Sequence, residues 1–177
     1  VDTSTTSQQP QRPLQGLRIL DFSRVLTGPH ATRMLCDLGA EIIKIEPPDG
    51  DLTRFTNPRV NSLSTYFIQQ NAGKKNISLD MSKPEAVNIV KKLVMHADIL
   101  IENFRPGVMK KLGLDYTSLS ALNPKLIYAS ITGYGQTGPW VHRRAYAPVV
   151  GAESGLTNHQ GMARGGQFAN DPFSHAD

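Results

Sequence analysis

The stretch LRILDFSRVLTGPHATRMLCDLGAEIIKIEPP, residues 17–48, constrains the fold more than any other part of the chain. Residues 17–22 read as a short buried strand announced by Gly16. Pro29 stands where a first helical residue belongs. Ala31, Met34, Leu35 and Leu38 follow at i, i+3, i+4 and i+7, and Gly39 supplies the stop. EIIKIEPP then reads as a second strand, closed by Pro47 and Pro48. A strand, a helix and a second strand in that order form the repeating unit of a parallel α/β sheet, because parallel neighbours need a long crossover between them.

The rest of the chain continues the alternation. Residues 49–64 are long, polar and turn-rich, which predicts an ordered functional loop. After the short segment TYFIQQNAG, KNISLDM reads as a strand, and Ser82-Lys83-Pro84-Glu85 as a capping box opening a helix with Val87, Val90, Val94 and Ala97 on one face. DILIENF is a further strand, PGVMKKLGL and DYTSLSALNP are short helices, and KLIYASITGYG is a strand running into a Gly-rich turn. YAPVVGAESGLT reads as one amphipathic helix. The pattern predicts the nucleotide-binding half of an open, largely parallel sheet, in which ligands sit outside the carboxyl ends of the strands. Three such ends carry unusual chemistry: DFSRVLTGP, IENFRPG and SITGYGQTGP.

Composition narrows the function classes. The 177 residues carry a formal charge of +4, which suits an anionic partner. The basic residues are scattered in pairs, at 74–75, 91–92, 110–111 and 143–144, rather than set in a dense stripe interleaved with aromatics, so a nucleic-acid face is not expected. The single Cys36 allows no internal disulfide and fits a reducing compartment. No apolar run approaches the roughly 18 residues of a membrane span. The polar start VDTSTTSQQPQRP lacks the apolar core of a secretory signal, so residues 1–12 read as a disordered leader and the protein as cytoplasmic.

Each motif has a plain reading beside a functional one. TGPH at 27–30 places backbone N–H groups at a helix start, where anions bind, or forms an ordinary strand–helix turn. In ENFRPG, Phe104 can stack on a base while Arg105, Lys110 and Lys111 meet phosphates; alternatively Phe104 is buried beside a solvated basic turn. GYGQTGP lacks the spacing of a phosphate-binding loop or a dinucleotide fingerprint and by itself supports only a flexible turn. The five histidines show no metal-ligand spacing, so no metal is expected.

Taken in order, PLQGLRILDFSRVLTGPHATRMLCDLGAEIIKIEPPDGD, NAGKKNISLDM, ADILIENFRPGVMKKLGLDY, LNPKLIYASITGYGQTGP and SGLTNHQG resemble the N-terminal part of the class III coenzyme A-transferases, the CaiB/BaiF-like family that also holds the α-methylacyl-CoA racemases. The resemblance implies a Rossmann-like open sheet, with residues 13–177 as the N-terminal part of a CoA-binding large domain. The small domain would lie in the rest of a longer chain, and two such chains would interlock as a homodimer. It implies an aspartyl nucleophile that falls on Asp177, with Asp171 the rival carboxylate, so that the chain would stop at its catalytic residue and be inactive alone. It implies CoA contacts at Leu26 and Thr27, at Leu79 and Ser82 in SLDMS, at Asn103 and Phe104 in ENF, and at the cations Arg105, Lys111 and Arg144.

The implied reaction moves CoA from an acyl-CoA thioester to a free carboxylic acid through an aspartyl anhydride and thioester, with no tightly bound cofactor. A carboxylate of pKa near ~4 is a weak nucleophile, so positioning and binding energy from the remote nucleotide must drive the step. Two departures stand out. Pro47 occupies a position where one family member has a nucleotide-contacting Arg, and Tyr146-Ala147 replaces the family's Tyr-Asp or His-Asp pair. A racemase of the same fold would need a His base where Tyr146 stands, and a tyrosine of pKa near ~10 is a poor neutral-pH base. A non-catalytic CoA-binding fragment is the third reading.

Overall fold

A computed structural model describes residues 11–169. Most of the expected leader and both candidate nucleophiles, Asp171 and Asp177, lie outside the described residues. In chain order the elements are β1 (Arg18–Asp21), α1 (Thr27–Asp37), β2 (Glu41–Glu46), a 3₁₀ turn (Leu52–Phe55), β3 (Arg59–Val60), β4 (Leu63–Ser64), α2 (Thr65–Asn71), β5 (Lys75–Ser78), α3 (Pro84–Val94), β6 (Ile99–Glu102), α4 (Val108–Lys111), α5 (Tyr116–Ser120), β7 (Ile127–Ser130), α6 (Ala147–Glu153) and α7 (Leu156–Ala163).

Five strands form one parallel sheet in the order β5-β2-β1-β6-β7, and β3 and β4 form a separate two-residue hairpin. Leu20 is in register with Ile43 on one side and Leu100 on the other, so β1 is central. Alternation of side chains sends Ile19, Ile42 and Ile101 to one face, against Leu35 and Cys36 of α1. Leu20, Phe22, Ile45 and Leu100 go to the other face, against Val90 and Val94 of α3 and Leu119 of α5. Strands covered on both faces carry adjacent apolar residues, as Ile19-Leu20 in β1 and Ile99-Leu100-Ile101 in β6 do. Of the polar positions in these two strands, Asp21 and Glu102 lie at the carboxyl ends beside the site, whereas Arg18 at the amino end pairs with Glu41.

Three local expectations are corrected. First, α1 begins at Thr27, two residues before Pro29, and the residues it buries are Gly28, Pro29 and Thr32. Met34 and Leu38 from the expected apolar face are 55% and 45% exposed. The inward face is polar and small because it lies over Asp21: Thr32 Oγ1 donates to the Asp21 carboxylate at 2.6 Å. A Cβ on Gly28 would stand 2.1 Å from Ser23 Cβ, so only glycine allows this approach. Second, no capping box opens α3. Ser82 donates both its N–H and its hydroxyl to Asp80, at 3.0 and 2.7 Å, and the helix starts on Pro84 after an uncapped Lys83. Third, residues 146–157 are not one helix. Gly155, at φ +79°, separates α6 from α7.

Candidate functional site

The turn between β1 and α1 is held by side chains from every neighbouring segment. Val25 sits at φ +68°, a left-handed conformation that a β-branched residue adopts only when its surroundings enforce it. The enforcement is visible. Asn103, just past β6, accepts from Arg24 N–H and donates to Arg24 C=O, each at 2.8 Å. The Asp51 carboxylate accepts the Val25 N–H at 3.2 Å. Lys44 Nζ, on β2, donates to Ser23 C=O at 2.7 Å and lies 3.3 Å from Asp51. The Lys44 and Asp51 side chains are only 2% and 1% exposed.

Below this turn, Asp21 accepts from Ser23 N–H at 2.9 Å, from Thr32 and from Lys74 Nζ at 3.1 Å. Burial by itself would raise the Asp51 pKa. Hydrogen bonds from Thr53 and the Lys44 ammonium outweigh it, and the net direction is down. Lys74 is pulled down chiefly by burial, against the opposing pull of Asp21.

This turn forms one wall of a cavity of about 560 Å³ outside the carboxyl ends of β1, β6 and β7. The other walls are the β6–α4 loop, residues 131–134 after β7, and residues 141–150 leading into and along α6. Of the residues expected to hold CoA, the structure brings Leu26, Thr27, Asn103, Phe104, Arg105 and Arg144 to this one cavity. It does not bring Leu79, Ser82 or Lys111 there. Leu79 follows the edge strand β5, two strands from the cavity, where its N–H donates to Glu46 C=O at 2.8 Å. Ser82 is engaged with Asp80, and Lys111 is exposed in the last turn of α4.

Three features were not read from the sequence. The Arg24 guanidinium lies over the Phe104 ring, 5.0 Å from its centre; half-buried, Phe104 packs against the core and supports a cation of this chain. The Gly-rich turn is a cavity wall rather than a free loop. A Cβ on Gly133 would stand 1.9 Å from Ala145 Cβ, and this close approach was the signal the glycine carried. Finally, Arg143 packs on Trp140 and Tyr134 at 4.7 and 5.6 Å and pairs with Glu153 at 2.6 Å, while Tyr134 donates to Glu153. That knot ties residues 134–143 to α6.

Glu102 closes the end of β6. Its carboxylate accepts the Phe104 N–H at 2.8 Å and the Ser130 hydroxyl, and burial pushes its pKa up. Among the described residues, no group of three or more His, Cys, Asp or Glu could hold a metal ion. No described helix is long and apolar enough to cross a membrane.

Comparison with known proteins gives a consistent result. The family model described as CoA-transferase family III matches residues 14–174. The chain is 48% identical to a mouse succinyl-CoA:glutarate CoA-transferase, over 87% of this chain and 36% of the mouse protein. It is 47% identical to an acetyl-CoA:oxalate CoA-transferase from Acetobacter aceti, over 92% of this chain and 42% of that protein. Among solved structures, Rv3272 of Mycobacterium tuberculosis superposes with a TM-score of 0.86 at 40% identity, over 94% of this chain and 47% of that one. A CAIB/BAIF family protein from Brucella suis superposes with a TM-score of 0.79 at 43% identity, over 83% of this chain and 40% of that one. The chain therefore spans less than half the length of each of these relatives.

Proposed function

The chain belongs to CoA-transferase family III, and from that premise we propose that the whole protein moves coenzyme A from an acyl-CoA thioester to a free carboxylic acid. The observation that carries this reading is the cavity at the carboxyl end of the central strand. It offers an aromatic ring, an uncapped helix start and several arginines to one ligand. Such a set suits a nucleotide with phosphates at one end, and CoA is a long handle whose remote contacts can drive chemistry at the thioester carbon. The acids named for the relatives, glutarate and oxalate, make dicarboxylic acids the first acceptors to test.

In the proposed reaction the Asp177 carboxylate attacks the thioester carbonyl. The C–S bond breaks, CoA leaves as thiolate, and a mixed anhydride remains. The thiolate then attacks the aspartyl carbonyl, which frees the donor acid and leaves an enzyme thioester. The acceptor carboxylate repeats the sequence in reverse, leaves as acyl-CoA and regenerates Asp177. The working unit in this proposal is an interlocked homodimer of full-length cytoplasmic chains.

The test uses the full-length protein with succinyl-, acetyl- or formyl-CoA and a panel of dicarboxylic acids. CoA transfer to at least one acid is expected, and mass spectrometry after hydroxylamine trapping should find a hydroxamate on Asp177. Asp177→Asn should abolish transfer while leaving CoA affinity nearly intact. A hydroxamate on Asp171, or full turnover of the Asn variant, would defeat the nucleophile assignment. Absence of transfer with every pair would defeat the function.

A further inference from the structure

Arg24 is held at both its backbone and its side chain, yet its guanidinium lacks a polar partner among the described residues. Its backbone is fixed at both polar atoms by Asn103, and its guanidinium rests on Phe104. Stacking occupies the face of a guanidinium and leaves its N–H donors in the plane. Yet Arg24 takes part in no salt bridge among the described residues, and its buried Nε has no hydrogen-bond acceptor there. A buried donor without an acceptor is costly, and such a group calls for an explanation.

The surroundings identify the kind of acceptor. Among the described residues no acidic side chain lines the cavity, and of its four arginines there only Arg143 is paired, with Glu153. Arg24, Arg105 and Arg144 have no carboxylate partner among the described residues, and the adjoining start of α1 is uncapped by any side chain. A single carboxylate needs one cation. Three cations beside a helix N-terminus match a multiply charged group.

We propose that the Arg24 guanidinium, pre-set on the Phe104 ring and by the Asn103 clamp, binds a phosphate of the nucleotide end of acyl-CoA. This deepens the transferase reading and rests on it. Arg24 is thus a specificity residue for the nucleotide-bearing donor, acting far from the carbon that reacts.

The experiment compares Arg24→Gln and Arg24→Lys with wild type in the full-length protein. It measures the Kd of CoA and the kcat/KM for an acyl-CoA and for the matching acyl-pantetheine, which lacks the nucleotide and its phosphates. Arg24→Gln should weaken CoA by about tenfold or more, the usual loss for a hydrogen bond to a charged group, and should leave kcat/KM for the acyl-pantetheine nearly unchanged. Arg24→Lys should fall between, since it keeps the charge and loses the fork. Should the Gln variant fail to fold, the Lys variant carries the same comparison. Unchanged CoA affinity overturns the proposal. So does an equal loss on both donors, which marks a collapsed cavity. A raised KM for the acceptor acid with unaltered CoA affinity also overturns it, by assigning Arg24 to a carboxylate. A wild-type protein that binds no CoA defeats the transferase reading itself, and the proposal with it.

Discussion

The side-chain amide of Asn103 grips the backbone of Arg24 at both polar atoms, accepting from its N–H and donating to its C=O at 2.8 Å each. The two residues are 79 apart in sequence and belong to the ends of neighbouring strands, β1 and β6. One amide therefore joins two walls of the cavity and sets the turn from which α1 starts. Asparagine suits this place because it presents one acceptor and one donor in a plane, matching a peptide edge.

Removing the grip should loosen the site before it unfolds the protein. Asn103→Ala forfeits two hydrogen bonds and is expected to cost about 1–3 kcal/mol of stability, read from urea unfolding, together with a clear loss of CoA affinity by calorimetry. Asn103→Asp keeps the acceptor for Arg24 N–H but turns an oxygen toward Arg24 C=O. It should bind CoA no better than the Ala variant. Wild-type CoA affinity in Asn103→Ala would remove the clamp from the binding machinery.

The buried pair of Lys44 and Asp51 supports the same turn from below, through Ser23 C=O and Val25 N–H. Taking away one partner leaves the other charge buried and alone. Lys44→Met is expected to destabilise by about 3–5 kcal/mol. Adding Asp51→Asn should restore part of that loss, because the stranded charge is removed. Thermal and urea unfolding of both variants check this, and a double variant no more stable than Lys44→Met would refute the pairing.

Two carboxyls should respond to pH with opposite signs. Asp51 has a folded pKa below its ordinary 3.8, so its contribution is present above that value and is lost as pH falls through the lower folded pKa. Asp51→Asn should flatten the acid side of the stability profile. Glu102 is raised above its ordinary 4.5 by burial, so its contribution is complete below 4.5 and is lost as pH rises through the higher folded pKa. Glu102→Gln can still accept from Phe104 N–H and can donate to Ser130. It should therefore gain stability relative to wild type as pH rises through that window and keep the gain above it. A pH-independent difference between Glu102→Gln and wild type would contradict the assignment.

Tyr146 lines the cavity at the start of α6, at the position where the racemase branch would need a histidine base. The transferase mechanism asks no proton transfer of it. Tyr146→Phe should keep measurable CoA transfer in the full-length protein. If wild type instead exchanges the α-proton of a 2-methylacyl-CoA with deuterated solvent, and Tyr146→Phe loses that exchange, racemase chemistry replaces the transferase reading.

The local pattern of residues 17–46 already determined two strands around a helix, and the repetition of that unit determined a parallel sheet with its site at the carboxyl ends of its strands. Those features depend on apolar spacing and on Gly and Pro punctuation, which act over a few residues and are written locally. The motifs TGPH and ENFRPG marked Thr27, Asn103, Phe104 and Arg105, and the family resemblance added Leu26 and Arg144; all six line the cavity.

Tertiary structure decided which of the marked residues meet. Strand order puts β5 at the far edge, which carries Leu79 and the Ser82 that follows it away from the cavity, and nothing in SLDMS itself encodes that order. Tertiary contacts also turned the face of α1 inward on Gly28 and Thr32, because the buried Asp21 demanded hydrogen bonds that Met34 and Leu38 cannot give. The Arg24–Asn103 clamp and the Lys44–Asp51 pair each join segments distant in sequence or set a turn that neither residue occupies. Hydrogen bonds and ion pairs of this kind carry no periodicity along the chain. They exist only once the sheet has brought its strand ends together.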